Sequence, residues 1–320
     1  MNIIKTAYCR TFQTAFRTAI PVMPYREPHV VESVERIPEI LIKEEKTKPL
    51  IVTDPNLAEI GLTKMLTDVL DEARISYAVY SETKANPTIA DVEAARQLYL
   101  DQKCDCLVGF GGGSSIDCAK AAGARIVKPE QSVRDMKGIL KINQPTPLLI
   151  AVPTTAGTGS EATVAAVITD EKTHFKYPIN DFPLIPDYAV LDARLTVGLP
   201  PFITATTGMD ALVHAAEAFI GRSTTKKTRT WAVMAVRLIR KNLLRAYENG
   251  EDLQARQNML KAAFLAGEAF SMSYVGYVHG IAHSLGGQYG VPHGLANAVV
   301  CPYVFRQYDF AGQKRLAVLA

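Results

Sequence analysis

Cysteine is scarce in this 320-residue chain and lies scattered, at Cys9, Cys104, Cys106, Cys118 and Cys301. An odd number spread this widely argues against a disulfide framework and fits a reducing compartment. Cys104 and Cys106 have half of a metal-site spacing, but no second pair follows them and an apolar strand does, so they read as buried thiols. Charge of one sign is nowhere concentrated. The net charge is only +3, with no block of Lys and Arg and no aromatics interleaved with basic residues, so nucleic acid is not an implied partner. No run of 18 apolar residues occurs, which excludes an ordinary membrane-spanning helix. Internal repeats and low-complexity tracts are missing too. At 48% hydrophobic and 21% charged residues, the composition is that of a globular protein long enough for two domains.

Acidic residues are absent before Glu27, while Lys5, Arg10, Arg17 and Arg26 precede it. That balance resembles a mitochondrial presequence, but serine enrichment is lacking and AIPVMPYREP runs straight into sequence of folded character. The expectation is a cytoplasmic protein.

From residue 50 a regular alternation begins. PLIVTD (49–54) is a short apolar run ending in a carboxylate, and 58–73 has helical spacing with Leu62, Leu66, Val69 and Leu70 on one face. SYAVYSE (76–82) predicts the next strand and 88–101 the next helix. CDCLVGFGGGSSIDCAKAAGARIV supplies a strand, a glycine turn and a helix, and TPLLIAVPTT (146–155) a further strand. Such alternation predicts βαβ units and a parallel sheet. Past residue 200 strand signals fade, and 205–220, 226–247, 251–275 and 278–285 all predict helices. GLPPFITATTG (198–208) is the expected joint, its threonines placed to cap the next helix. Ligands of open α/β folds bind outside the carboxyl ends of the strands, and clefts between domains are favoured sites.

GFGGGSSID (109–117) follows a strand and opens a helix. Three consecutive glycines let backbone approach a ligand closely, and a helix N-terminus offers free N–H groups to a pyrophosphate. A tight turn needs fewer glycines. The loop is neither G-x-G-x-x-G nor a G-K-[ST] loop, which argues against an ordinary Rossmann dehydrogenase or ATPase. Asp54, ending the first strand of the series, can accept hydrogen bonds from an adenosine ribose and would repel a 2′-phosphate, favouring NAD over NADP; alone it is equally a helix cap. PTTAGTGSEAT (153–163) offers hydroxyls at Thr154, Thr155, Thr158 and Ser160, with Gly157 and Gly159 leaving room for a cofactor, or serves as an N-cap.

Half of the six histidines fall within YVHGIAHSLGGQYGVPHG (277–294): His279, His283 and His293. His279 and His283 are four apart, as are Asp210 and His214 in GMDALVHAAEAF (208–219), so each pair shares a helix face. Gly286, Gly287 and Pro292 are expected to stop the helix, leaving His293 to arrive from a turn. Imidazoles with one carboxylate suit Fe²⁺, Zn²⁺ or Mn²⁺ rather than Ca²⁺ or a thiolate-selective metal. Five candidates exceed four ligand positions, so at least one stands behind the ligands. A metal beside a dinucleotide loop points to hydride transfer.

Together, GFGGGSSIDCAK, PTTAGTGSEAT, GMDALVHAAEAF and HGIAHSLGGQYGVPHGLANA resemble the iron-containing (group III) alcohol dehydrogenases from about residue 45 to the end, with NPT (86–88) and PDYAVLDARLTVGLPP (186–201) in support. The resemblance implies an α/β NAD-binding domain with a parallel sheet (residues 1–200) followed by an all-helical metal-binding domain (201–320), a dehydroquinate synthase-like fold. It implies Asp210, His214, His279 and His293 as metal ligands and His283 as a neighbour facing nicotinamide and substrate. It likewise implies Asp54 at the ribose, Gly111, Gly112, Gly113 and Ser114 at the pyrophosphate, Thr154 and Thr155 on the adenosine side, and Lys176 as a cofactor contact, although Lys176 by itself reads as a surface lysine.

Fe²⁺ (with Zn²⁺ as alternative), NAD, a small alcohol or aldehyde substrate and a homo-oligomer follow from the same resemblance. Phe270 and Val275 fit small aliphatic substrates and equally fit plain core packing. Two departures stand out: the family's GGGSP has serine, Ser115, in place of proline, and the chain stops at QKRLAVLA where family members continue for several helices that help close the helical domain. A zinc polyol or glycerol dehydrogenase, a catalytically silent metal-binding subunit and a metal-free phosphate-binding module are the rival expectations.

Overall fold

The structure, a computed structural model, describes residues 3–320. Its strands are β1 (His29–Val31), β2 (Pro49–Val52), β3 (Ala78–Tyr80), β4 (Cys106–Gly111), β5 (Gly138–Ile139), β6 (Leu149–Pro153), β7 (Ala165–Asp170), β8 (Phe175–Asn180) and β9 (Tyr188–Val190). The helices before residue 200 are α1 (Ile3–Ala19), α2 (Ile37–Lys43), α3 (Pro55–Glu59), α4 (Lys64–Glu72), α5 (Ile89–Asp101) and α6 (Gly113–Val127). Those after it are α7 (Pro201–Ile220), α8 (Lys226–Glu248), α9 (Leu253–Ser271), α10 (Tyr277–Tyr289), α11 (His293–Arg306) and α12 (Phe310–Leu319).

Six strands pair in the order β1-β9-β6-β4-β2-β3, every pair parallel. A parallel sheet is covered on both faces, which is why its strands read as unbroken apolar runs. Successive residues alternate between two cores: Leu50, Val52, Leu107 and Leu149 pack on the α5/α6 side. Ile51, Val108, Phe110, Ile150 and Val152 pack on the other face with residues of α2 and α4. Each buried aliphatic side chain contributes roughly 1.5–3 kcal/mol, so a one-residue slip of register would exchange the two cores at large cost.

The structure corrects several local expectations. The helix foreseen over 58–73 is two, α3 and α4, separated by a turn in which Gly61 takes φ +75°. α7 starts at Pro201, capped by no side chain. Thr206 and Thr207 do not cap it but donate their hydroxyls back to carbonyls of Phe202 and Ile203 inside the helix. α10 runs through Gly286 and Gly287 to Tyr289 and ends at Gly290, whose φ of +68° makes a left-handed stop. His293 is therefore the first residue of α11 rather than part of a free turn. α1, β1 and the antiparallel hairpin β7–β8, which carries Lys176, were not foreseen. Among the described residues, no helix is long and apolar enough to cross a membrane.

The helices after residue 200 meet the sheet through the 153–163 loop. Gly159 (φ +62°) lies so close to α9 that a Cβ there would sit 2.7 Å from the Gly267 Cα, and a Cβ on Gly157 would sit 2.6 Å from the Thr207 Cβ on α7. Those two glycines thus leave room for α7 and α9, not for a cofactor. Their backbone-to-backbone contact fixes where the helices stand over the carboxyl ends of the strands.

Candidate active site

α7 carries Asp210 and His214 one turn apart on its buried face, α10 carries His279, and α11 opens with His293. One ligand atom from each lies within 4.8 Å of all the others. The Asp210 carboxylate is central, 3.6 Å from His279 Nε2, 3.5 Å from His293 Nε2 and 4.0 Å from His214 Nδ1. Both His214 Nδ1 and His279 Nε2 are buried with no hydrogen-bond partner. A buried, unpartnered imidazole nitrogen is costly, and two of them facing one carboxylate fit a divalent cation.

Electrostatics point the same way. Burial alone would raise the Asp210 carboxyl, but His214, His293 and His279 hold it far below the ordinary carboxylate range. Burial pushes His214 down to about 3 against the pull of Asp210, keeping the imidazole in its neutral, ligating form. His279 is also penalised by burial, but the nearby Asp210 and Glu217 carboxylates, with its Nδ1 hydrogen bond to Glu217, raise it to about 9, a pull toward positive charge at Nε2 that a bound cation would satisfy in place of a proton.

Two residues of this centre escaped the sequence reading. Glu217, its side chain fully buried, accepts at Oε2 from the Gly276 N–H (2.7 Å) and His279 Nδ1 (2.7 Å), and at Oε1 from the Val278 N–H (2.7 Å). Fixing the proton on Nδ1 leaves His279 Nε2 free to ligate. Asn297 donates from Nδ2 to Asp210 Oδ1 at 2.6 Å and lies 3.2 Å from His293 Nε2. The signal was spacing: Glu217 follows His214 by three, and Asn297 follows His293 by four, so each shares its ligand's face.

His283 contributes no atom to the four-ligand cluster. Its ring lies 5.0 Å from His293 and 6.1 Å from His279, centroid to centroid. Desolvation in the cavity, then His293 and His279, hold it below its ordinary pKa. His214 is clamped between Phe270 (4.2 Å) and His279 (4.3 Å).

The glycine loop reaches the same place from the sheet. Strand order reverses between β2 and β4, and ligands of open α/β sheets bind in the crevice outside the carboxyl ends at such a switch. Asp54 and residues 111–114 flank that crevice. Gly113, Ser114 and Lys176 line one cavity of about 930 Å³ with Asp210, His214, His279, His283 and His293. Asp54, Gly111, Gly112, Thr154 and Thr155 lie off that lining. Asp54 Oδ1 accepts from the Leu57 N–H and caps α3, and the Thr154 N–H donates to Gly111 O at 3.0 Å. Ser114 Oγ donates to Ala85 O at 2.5 Å.

Lys176 is no bystander on the surface: its Nζ donates to Asn86 Oδ1 at 2.9 Å, and burial lowers its pKa against the pull of Asp117 and Asp210. Beneath the loop, Ser160 Oγ donates to Asp117 Oδ1 at 2.5 Å, and buried Lys120 donates to Thr163 O at 2.8 Å and Ala165 O at 2.9 Å, tying the two small-residue loops together.

Comparison with known proteins agrees with this arrangement. The family model described as iron-containing alcohol dehydrogenase matches residues 30–193, and the one described as Fe-containing alcohol dehydrogenase family, C-terminal, matches residues 204–320. Alcohol dehydrogenase 4 of Schizosaccharomyces pombe is 42% identical over 273 residues, covering 85% of this chain and 64% of that protein. The 1,3-propanediol dehydrogenase of Klebsiella pneumoniae is 40% identical over 275 residues, covering 85% of this chain and 71% of that protein. A solved alcohol dehydrogenase from Oenococcus oeni superposes with a TM-score of 0.84 at 36% identity, over 88% of this chain and 75% of that one. The sheet, the cleft and the His/Asp cluster define a metal-binding α/β-plus-helical protein. The chain belongs to the iron-containing alcohol dehydrogenase family. It spans somewhat less than two thirds of the length of the fission-yeast relative.

Proposed function

We propose that this chain is a metal-dependent, NAD-linked oxidoreductase that interconverts small alcohols or diols with their carbonyl partners. The observation that carries this reading is the single cavity shared by the Asp210–His214–His279–His293 cluster and the Gly113–Ser114 loop. Relatives named as an alcohol dehydrogenase and a 1,3-propanediol dehydrogenase support it.

Asp210, His214, His279 and His293 would hold a divalent metal, Fe²⁺ by family and Zn²⁺ equally by donor chemistry. Held there, a metal would supply polarisation of the substrate oxygen, and NAD would supply the hydride acceptor or donor. Glu217 orients His279, and Asn297 orients Asp210. His283, neutral and outside the ligand set, takes the hydroxyl proton and passes it toward solvent. The N-terminus of α6, with Gly111, Gly112, Gly113 and Ser114, receives the pyrophosphate. Asp54 keeps one carboxylate oxygen beyond its helix cap for the ribose and repels a 2′-phosphate, favouring NAD over NADP. Thr154 and Thr155 stand on the adenosine side, and Lys176 reaches the cofactor from β8. This divides the labour between residues 1–200 for the dinucleotide and 201–320 for the metal, in a homo-oligomer of the kind the family forms.

The test is turnover. Protein loaded anaerobically with Fe²⁺ or Zn²⁺ should reduce NAD with short alcohols and diols, and a chelated sample should not. Stoichiometric metal and NAD binding without turnover on any substrate would make it a silent subunit instead.

A further inference from the structure

The family match begins at residue 30, yet the cavity is walled in part by residues ahead of it. α1 presents Phe12 and Phe16 at a spacing of four, one face of the helix, and Ile20, 5% exposed, continues the stripe. All three line the cavity that holds the metal-ligand cluster. Opposite them stands Tyr274, in the turn between α9 and α10, its ring centroid 4.6 Å from Phe16 and 6.3 Å from Phe12.

Tyr274 has a φ of +64°. A left-handed residue just past a helix closes its last turn, as here after α9, and fixes the direction in which the chain and the Tyr274 ring leave it. The position also ties it to the metal end of the cavity. Its N–H donates to Phe270 O at 2.8 Å, and the Phe270 ring is stacked on His214 at 4.2 Å. Phe12 and Tyr274 retain 42% and 36% exposure, so the cluster is a wall of the cavity and not a sealed core.

We propose that Phe12, Phe16 and Tyr274 form the apolar wall that limits the length of the substrate's carbon chain, making α1 a specificity-determining element of this enzyme. A short alcohol fits beneath the rings. A longer alkyl chain must part Phe16 from Tyr274, and removing a ring should return that space to the substrate. The inference rests on the dehydrogenase reading above.

The experiment measures kcat/KM for ethanol, 1-butanol and 1-hexanol with the metal-loaded full chain and NAD. Phe16→Ala should raise the hexanol-to-ethanol ratio about tenfold, the low end of what one methylene is worth in an apolar pocket. Tyr274→Gly should move it the same way, and it guards against misfolding because glycine adopts a positive φ without strain. An unchanged ratio in both variants overturns the proposal. If the wild type turns over no alcohol, it is the dehydrogenase reading that fails, and the wall is then judged by calorimetric titration of 1-hexanol. Binding about tenfold tighter to Tyr274→Gly than to wild type supports it; equal affinity overturns it.

Discussion

The two ends of the cavity are built from opposite materials. At the sheet end, Gly113 offers the cavity backbone and little else, with Gly111 and Gly112 just behind the lining, and the adjoining small residues pack so tightly that a Cβ on Gly113 would lie 2.7 Å from Thr158 Cγ2. At the helical end, three buried titratable side chains and the half-buried His293 face one another with two imidazole nitrogens unpartnered. A phosphate is held by N–H groups every residue has, so the sequence must keep side chains out. A metal is held by particular donor atoms, so there the sequence must bring side chains in and hold them with others. The first end should fail through added atoms, the second through missing ones.

The largest expected effect is at the metal end. His279→Ala should abolish stoichiometric metal and lower kcat/KM on the order of 10³-fold or more, the several kcal/mol that a metal contributes to stabilising charge at a substrate oxygen. NAD affinity, followed by NADH fluorescence, should stay within about twofold of wild type, since the pyrophosphate seat proposed at the start of α6 lies on a different element. A parallel loss of NAD binding would break the division between the two ends. The converse is Gly113→Ala. Overpacking of this kind costs about 1–3 kcal/mol, to be read as weaker NAD binding with metal content intact.

Glu217 sharpens the comparison, because it adds no ligand atom yet belongs to the metal end. Glu217→Gln should weaken metal binding about 10–100-fold, the usual cost of losing an orienting partner. With metal in excess much of the activity should return, as it would not for a lost ligand. Titration with Co²⁺, followed by its visible spectrum, separates the two. An unaltered metal affinity would reduce Glu217 to an anchor for the start of α10.

The same contrast explains what the sequence disclosed. The sheet and helices were legible because each strand is an unbroken apolar run and each helix has apolar positions at its period. The candidate ligands were legible because histidine is rare here and falls at i, i+4 spacings, but spacing alone left five candidates, and only the family resemblance separated Asp210, His214, His279 and His293 from His283. Glu217 and Asn297 were missed, although each shares a face with a ligand, because nothing marks a single carboxylate or amide as buried until its partners on another helix are placed. The 153–163 loop stayed open between a cofactor contact and an N-cap, and its two glycines face neither but α7 and α9, since sequence cannot distinguish a space left for a ligand from one filled by a helix far along the chain. α1 escaped for a related reason: its stripe of Phe12 and Phe16, continued by Ile20 just past its end, is short, and its meaning depends on Tyr274, more than 250 residues away.

The smallest effect on turnover should come from beneath the loop that joins the two ends. Neither carboxylate oxygen of Glu161 has a hydrogen-bond partner, and burial pushes its pKa from 4.5 up to about 7 despite the nearby Lys120 ammonium. A folded pKa above the unfolded one means that the native state holds a proton the unfolded chain has already released. The stability Glu161 contributes is therefore complete below about pH 4.5 and is lost as the pH rises through about 7. Glu161→Gln keeps the shape and is neutral at every pH. Its unfolding free energy relative to wild type should thus rise between pH 5 and pH 8, by on the order of 2 kcal/mol. Urea unfolding at the two pH values measures this directly. A difference that stays flat would mean that Glu161 is ionised in the fold and paired with Lys120, so that the joint between the sheet and the helices holds an ion pair rather than a neutral carboxyl.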